Sequence, residues 1–244
     1  MKAVGREAGA RRQGSGSNGP ALRPVDAASL IIIDRSERRP RVLVGQRSTR
    51  HVFMPGLYVF PGGRRDRNDG RSTVIGDLRP DVAQKLALRS GRSSDDARKR
   101  QIRSRSLAVA AVRETFEETG LAIGHTQETE SPAADTRIVP DLAPLRYVAR
   151  ATTPPGQTRR FDTRFFCCFR HDLPDPDQAP SDSSELADLK WIGLDEIETI
   201  AMPAITRLVL AHLDNELNDH PALPFGRPVP YFRVERGRFV CDLI

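Results

Sequence analysis

Long apolar runs are absent from this 244-residue chain. A membrane-spanning helix needs about 20 consecutive apolar residues, whereas the longest run here, ASLIII, has the length of a strand. Cysteine is also scarce, and the three cysteines include no CxxC pair. Cys167 and Cys168 are neighbours in a predicted strand, so we expect one to face the core and the other the surface. This cysteine usage predicts a reducing, cytoplasmic location.

Aromatic residues are few as well, at 6% of the chain, and they rarely stand among the basic residues. The net charge is +6, carried overwhelmingly by arginine. A basic chain can bind nucleic acid, but these arginines are scattered. Binding of phosphorylated small molecules, or simply a gene rich in arginine codons, would explain the positive charge equally well. We therefore expect a small-molecule partner, with neither nucleic acid nor a membrane.

The first 20 residues differ from the rest of the chain. Residues 1–20 are polar and glycine-rich without apolar periodicity, which predicts a disordered leader. Their arginines and scarcity of acidic residues suggest an organelle transit peptide, but the apolar face of such peptides is missing. Organelle targeting is therefore left open. Residues 21–244 have the length of one sizeable core and are predicted to form a single domain.

Strand and helix patterns alternate through that domain, which predicts an α/β fold around one mixed sheet. The predicted strands are ASLIIID, RVLVGQRS, LYVFPGG, LRYVARATTP, TRFFCCFRHDL, the start of LKWIGLDEIETI, and a hairpin in PYFRVERGRFVCDL. The predicted helices are RPDVAQKLALRSG, residues 106–119, the end of LKWIGLDEIETI, and PAITRLVLAHLDNEL.

Three carboxylates stand within five positions of the helix predicted at 106–119. Glu114, Glu117 and Glu118 are spaced i, i+3, i+4 and so share one face. No lysine lies within reach of them, and Arg113 is the one basic neighbour. A solvated acidic face is the alternative, but carboxylates this close favour a divalent cation such as Mg²⁺.

A glycine turn precedes this helix in the chain. Pro61, Gly62 and Gly63 end a predicted strand, and Asp66 and Asp69 follow on the loop. Such a turn allows backbone amides to approach a phosphate closely, although it can also be a plain tight turn.

With these residues the sequence resembles the Nudix hydrolases. Their box reads Gly, five residues, Glu, seven residues, then Arg-Glu-apolar-any-Glu-Glu-any-Gly-apolar. RETFEETGL, residues 113–121, matches the second half except at Thr115. Counted from Gly63, the first box glutamate falls on Asp69. Residues 70–112 then stand where the family has seven, so the box is split. We expect a helical insertion at about 70–105, forming a flap over the substrate side.

A second element resembles the Nudix branch of coenzyme A diphosphatases, which carries such a split after FPGG. In RSTRHVFMPGLYVFPGG the ends keep the branch's spacing, from Arg47 and Ser48 to the glycines. His51, Val52 and Met54 replace the Leu, Arg and His of the pattern. The resemblance therefore implies coenzyme A as the substrate more weakly than it implies the family.

The resemblance implies a Nudix-type α/β/α sandwich that hydrolyses a nucleoside diphosphate linked to a second group. Mg²⁺ or Mn²⁺ would be held by Glu114, Glu117 and Glu118. Arg113 would pair with a box carboxylate. The general base would be Glu118, with Glu185 as second choice and an ordinary loop position as the alternative reading of Glu185.

Further contacts are expected around the substrate. Gly62, Gly63 and Arg47 would lie against it, and three arginines of TRRFDTRFF would reach anionic groups such as a 3′-phosphate or else form a basic loop: Arg159, Arg160 and Arg164. Trp191 is expected in the core, and His51 is expected to be neither ligand nor base.

The expected reaction cleaves coenzyme A or acyl-coenzyme A to 3′,5′-ADP and (acyl-)4′-phosphopantetheine. ADP-ribose or another nucleotide sugar is the alternative substrate, and a non-catalytic ligand sensor is a further alternative. The sequence leaves the identity of the base and the role of the insertion open. It also leaves open whether the chain forms a homodimer.

Overall fold

A computed structural model describes residues 22–48, 55–88, 96–128 and 136–244. The predicted leader at 1–20 lies outside the described residues, and so do His51, Val52 and Met54. No helix in the described ranges has both the length and the apolar character that a membrane crossing requires.

Eleven strands and three α-helices make up the described chain. The strands are β1 (Val25–Asp34), β2 (Arg41–Arg47), β3 (Tyr58–Val59), β4 (Gly62–Arg64), β5 (Gly124–Glu128), β6 (Thr136–Pro140), β7 (Arg146–Thr152), β8 (Phe161–Phe169), β9 (Leu186–Gly193), β10 (Pro230–Glu235) and β11 (Arg238–Leu243). The helices are α1 (Pro80–Ala87), α2 (Ala97–Thr119) and α3 (Ala204–Asp219).

Nine of the strands form one mixed sheet in the order β11-β10-β7-β8-β1-β2-β3, with β4 paired to β1 and β9 paired to β2. β1 is parallel to β8, and β10 is parallel to β7, whereas the other pairs are antiparallel. β5 and β6 form a separate hairpin that the sequence patterns did not predict.

Alternate side chains of β1 enter two apolar cores on opposite faces of this sheet. Leu30 and Ile32 belong to the core that α1 and α2 cover, and Ile31 and Ile33 to the core that α3 covers. The predicted α/β/α sandwich around a mixed sheet is therefore confirmed.

Two local expectations were wrong. Cys167 and Cys168 are both fully buried, because β8 lies inside the sheet between β1 and β7 and both of its faces are covered. The helix predicted at the end of LKWIGLDEIETI does not form either: after β9 that segment has only a 3-10 turn at Ile197–Thr199.

The insertion is built differently from the expected flap. Its helix α1 buries Val82 and Leu86 in the core that α2 also covers. Lys85 donates a hydrogen bond to the Ile244 carbonyl, and the Arg79 guanidinium lies over the Phe225 ring. α1 is thus part of the core beside the C-terminal segment, and the expectation of a flap over the glutamates was wrong for this helix.

The second part of the insertion forms the first turns of α2. α2 begins at Ala97, nine residues before the predicted start, and Asp96 caps it by accepting a hydrogen bond from the Lys99 amide. The helix ends as predicted at Gly120, which adopts the left-handed conformation with φ of 74°.

Candidate active site

The glycine turn and α2 meet at two glutamates. The Gly62 amide donates a hydrogen bond of 2.8 Å to Glu118 Oε2, and Glu118 is only 4% exposed. A Cβ added at Gly63 would overlap the Glu114 carboxylate, so only glycine allows this approach. Antiparallel pairing with β1 holds the turn in place, with Gly63 opposite Ala28. The two glycines therefore set how closely the loop approaches the acidic face of α2.

The two halves of the split box are joined by an ion pair. Asp69 is 2% exposed and accepts a hydrogen bond of 3.0 Å from Arg113 Nε, although the residues are 44 positions apart. Arg113 also donates to the carbonyl of Arg64 at 3.1 Å. The loop half of the box thus closes on the helix half despite the insertion, and the shorter Asp69 reaches the arginine.

Arg113 also holds the third glutamate. Its Nη1 lies 2.9 Å from Glu117 and 3.0 Å from Glu114. The Glu117 side chain is 54% exposed, while that of Glu114 is 17% exposed. Glu117 therefore lies at the outer edge of the carboxylate face, and Glu114 and Glu118 lie inside it.

Burial changes the acidity of the two inner glutamates. It raises the pKa of Glu118 to about 8, and the hydrogen bond from Gly62 only partly offsets this. Burial also raises the pKa of Glu114, and the positive charge of Arg113 opposes that shift. A protonated, neutral carboxyl is the ordinary response of a buried acid that lacks a full counter-charge.

Two further predicted residues act on this pair through their charges. The charge of Glu185 raises the pKa of both Glu114 and Glu118, and that of Arg47 lowers the pKa of Glu118. Both residues stand at one end of the β2–β9 pair, where Ser48 donates its amide hydrogen to the Glu185 carbonyl. Glu185 therefore lies beside the site and is not an ordinary solvated loop residue remote from it.

The predicted divalent metal fits the two inner glutamates best. In the described part of the chain, no group of three or more His, Cys, Asp or Glu side chains forms a ready-made metal cage. Glu117 lies at the exposed edge of the carboxylate face and, like Glu114, contacts Arg113. Glu114 and Glu118 are oxygen donors whose pKa values are raised by burial, and a hard cation would stabilise their charged forms.

One predicted substrate contact was wrong. Arg164 is fully buried, and its Nη1 lies 3.2 Å from Asp26 and 3.0 Å from Asp162. β8 is an inner strand, so an inward-facing arginine there is enclosed and requires carboxylate partners. Its guanidinium is part of the interior and is not available to a ligand.

The other two arginines of that segment remain at the surface. Arg159 is exposed, and Arg160 donates to the carbonyls of Thr153 and Leu22. Trp191 is partly buried against the core, as expected, and lies under the Arg170 guanidinium.

Sequence reasoning did not identify Arg64 or Asp26. Arg64 directly follows Gly63, is exposed, lies over the Phe161 ring and forms no ion pair with any described residue. Asp26 joins Arg164 to Arg103, with Arg103 Nη2 at 2.6 Å. The run GGRR was a signal for Arg64, but no local pattern connects Asp26 with residues 77 and 138 positions away.

Comparison with known proteins agrees with this site. Residues 103–213 match the family model of the NUDIX domain, and this stretch includes the glutamate face of α2. This stretch of the chain is therefore similar to a NUDIX domain. The match begins after most of the insertion, so β1 to β4 and the glycine turn lie outside it.

Individual relatives give the same picture. The chain is 27% identical over 201 residues to the human acyl-coenzyme A diphosphatase NUDT19, covering 62% of this chain and 52% of that protein. It is 28% identical over 184 residues to a Caenorhabditis elegans protein named among the nudix hydrolases, covering 68% of this chain and 50% of that protein. The chain thus spans about half the length of the curated relatives it matches.

A solved structure extends the likeness to most of the chain. The NUDIX hydrolase from Alicyclobacillus acidocaldarius superposes with a TM-score of 0.54 at 26% identity, covering 78% of this chain and 90% of that one.

Proposed function

We propose that the protein is a metal-dependent diphosphatase that cleaves a nucleoside diphosphate linked to a second group. The observation that carries this proposal is the reassembled box. Asp69 and Arg113 bring the glycine turn against α2, and Glu114 and Glu118 face that turn. Breaking a P–O–P bond requires charge neutralisation and a positioned water more than a protein nucleophile.

The chain's own groups supply position and proton transfer. Glu118 is held by the Gly62 amide and is the proposed general base, because a pKa near the working pH favours proton transfer in both directions. Glu185 is the second candidate, since it is exposed and its charge reaches both inner glutamates. Arg113 keeps the loop and the helix together.

Glu114, Glu117 and Glu118 would hold Mg²⁺ or Mn²⁺, with Glu114 and Glu117 both shared with Arg113. When bound, the ion would neutralise charge that develops on the diphosphate and lower the pKa of water at the site. The hydrolase name of the matched structure supports this class of reaction.

The proposed substrate is coenzyme A or an acyl derivative, cleaved to 3′,5′-ADP and (acyl-)4′-phosphopantetheine. Support comes from the spacing of the element that ends in FPGG and from the likeness to a human protein named as an acyl-coenzyme A diphosphatase. With Arg164 buried, we propose Arg47, Arg159, Arg160 and Arg64 as the contacts to anionic groups. Coenzyme A carries an additional 3′-phosphate, which suits several cations.

A substrate panel tests the proposal. The purified chain with Mg²⁺ or Mn²⁺ is given coenzyme A, acyl-coenzyme A, ADP-ribose, NADH, diadenosine polyphosphates and dNTPs, and the products are identified by mass. We expect 3′,5′-ADP from the coenzyme A species. If kcat/KM for ADP-ribose is tenfold above that for every coenzyme A species, coenzyme A is rejected as the substrate and the reaction class is kept. A tenfold difference corresponds to about 1.4 kcal/mol of transition-state stabilisation.

Variants test the reaction class itself. Glu118→Gln should lower kcat by at least about 10²-fold, because it removes both a metal ligand and the proposed base. Glu198→Gln is the matched control, since the Glu198 side chain is 86% exposed and pairs with Arg207 of α3. If the panel substrates are still turned over after Glu118→Gln or in excess EDTA, the proposed metal site is wrong. A Glu185→Gln variant slower than Glu118→Gln would move the base to Glu185.

A further inference from the structure

The C-terminal hairpin exposes apolar side chains at the edge of the sheet. β11 is the last strand of the nine-stranded sheet, and the face formed by alternate residues carries Phe239, Cys241 and Leu243. Phe239 is 60% exposed and Leu243 is 65% exposed. Large apolar side chains on an uncovered edge strand are uncommon in a monomer, because such an edge invites pairing with another strand.

The hydrogen-bond register shows which backbone groups face outward. Val229 and Ile244 exchange both backbone hydrogen bonds, and bonded and non-bonded pairs alternate along an antiparallel ladder. The alternation makes Val240 and Asp242 bond to β10. The amides and carbonyls of Phe239, Cys241 and Leu243 therefore point to the open edge, where no described strand pairs with them.

The charges on β11 are arranged to match a second copy of the same strand. Arg238 and Asp242 are placed symmetrically on either side of Val240. Arg238 is exposed and forms no ion pair with any described residue. Glu235 lies opposite Arg238 on β10, but it pairs with Arg233 at 2.8 Å. Arg233 also pairs with Asp242 at 2.8 Å, so one guanidinium serves two carboxylates. An antiparallel copy of β11 would bring the partner's Arg238 to each Asp242 and supply a second positive charge.

We propose that β11 forms the interface of a homodimer, in which two copies pair antiparallel with Val240 opposite the partner's Val240. In this register the Arg238 of each copy faces the Asp242 of the other, which gives two such pairs by symmetry. The Phe239 of each copy faces the Cys241 of the other. The outward backbone groups of both strands become hydrogen-bonded, and the two sheets join across a two-fold axis.

The interface leaves both active sites independent. β10, β7 and β8 separate β11 from β1, which holds the glycine turn. Variants of β11 should therefore change association without changing the chemistry, so failure of this proposal would not affect the proposed function.

Light scattering across a range of protein concentrations measures the association. The wild type should reach a dimer mass. Arg238→Glu should raise the dimer dissociation constant by at least about tenfold, because two opposite-charge pairs become two like-charge pairs, and kcat/KM per chain should not change. Ile102→Lys is the control, since Ile102 is 45% exposed on α2 and outside the hairpin. A monomer at every concentration overturns the proposal.

Cross-linking tests the register. Val240→Cys in a Cys241→Ser background should form an intermolecular disulfide, because facing residues of a non-bonded pair lie about 4.5 Å apart at Cα. Phe239→Cys in the same background should not, because its symmetry mate lies two residues further along the strand. Efficient cross-linking by the wild-type Cys241 alone, or a dimer that forms neither disulfide, overturns this pairing.

Hydrogen exchange distinguishes two possible partners of β11, a second copy of the chain and residues 1–21 of the same chain. The amides of Phe239, Cys241 and Leu243 should become protected only as protein concentration rises. Protection of these amides in dilute monomer would mean that the chain covers its own edge, and the dimer proposal would fail.

Discussion

At the residue scale, Gly63 determines how closely the loop can approach α2. Its missing side chain leaves the space that the Glu114 carboxylate occupies. Glu114 is in turn held by Arg113, so a displaced Glu114 would disturb the contacts of the arginine that closes the box. The geometry of the site thus depends on a position that supplies no functional group.

We expect Gly63→Ala to lower kcat by about 10²-fold, because a misplacement of about 1 Å in catalytic groups has this effect. Steady-state kinetics on the best substrate of the panel measures it. Gly156→Ala is the control: Gly156 has φ of 86° but no neighbour within reach of a Cβ. It should lose roughly 1 kcal/mol of stability and keep its activity. Equal activity in both variants would contradict the steric role of Gly63.

A second residue-scale effect lies at the far end of β1. Asp34 is 2% exposed and accepts hydrogen bonds from the Ser36 amide, Arg41 and Arg170. Burial alone would raise the pKa of Asp34, but the hydrogen bonds prevail and lower it from 3.8 to about 2. The folded state therefore favours the ionised form.

The sign of the pH dependence follows from that shift. A lowered folded-state pKa contributes stability above the unfolded pKa near 4, and this is lost as pH falls towards 2. We expect Asp34→Asn to lower the free energy of unfolding by about 2 kcal/mol at pH 7 and by much less at pH 2. Urea denaturation at both pH values measures this. A pH-independent difference would show that the loss comes from packing.

At the element scale, α2 connects the insertion to the active site. Its first turns come from inserted sequence, and its last turns carry the glutamates. Arg103 ties the inserted part to Asp26 of β1 through two hydrogen bonds of 2.6 and 2.7 Å. The insertion therefore extends the helix that carries the glutamates and also anchors it to the sheet.

The joint between insertion and loop is Asp69. We expect Asp69→Ala to lower kcat/KM by about 10- to 100-fold, the usual effect of losing a residue that orients metal ligands. Asp66→Ala is the matched control, because Asp66 is exposed on the same loop and does not contact Arg113. Initial-rate kinetics of the two variants decides the question. If the variants are equally active, the ion pair is not needed to close the box.

At the scale of the whole molecule, a bound cation should stabilise the fold. At a Mg²⁺ or Mn²⁺ concentration of 100 Kd, binding to the native state alone contributes about 2.7 kcal/mol. For a chain of this size we expect Tm to rise by roughly 5–10 °C. Calorimetry with and without the ion measures the shift. Glu118→Gln should show little of it, and a full shift in that variant would place the ion elsewhere.

The net charge of +6 gives little information about the substrate, because many arginines serve the fold. Arg150 forms two hydrogen bonds of 2.8 Å with Asp162, and Arg164 is enclosed beside it. A buried guanidinium that has carboxylate partners contributes to internal packing and offers nothing to a ligand. Only the structure separates such arginines from exposed ones such as Arg64.

The sequence by itself determined the elements whose patterns are local. The glutamate face and its end at Gly120, the helix α3 and the β10–β11 hairpin each follow from spacing within about 15 residues or fewer. The half box RETFEETGL also indicated the resemblance to the Nudix hydrolases, because its spacing reflects the chemistry of one helix face. These features need no knowledge of distant parts of the chain.

Only the tertiary structure decided which distant residues meet. The pairing of Asp69 with Arg113 spans 44 positions, and the burial of Arg164 results from the strands on both sides of β8. The same enclosure buries Cys167 and Cys168 together, against the alternation expected of a half-exposed strand. Strand order and the packing of helices on both faces set these outcomes, and a local pattern contains no information about either.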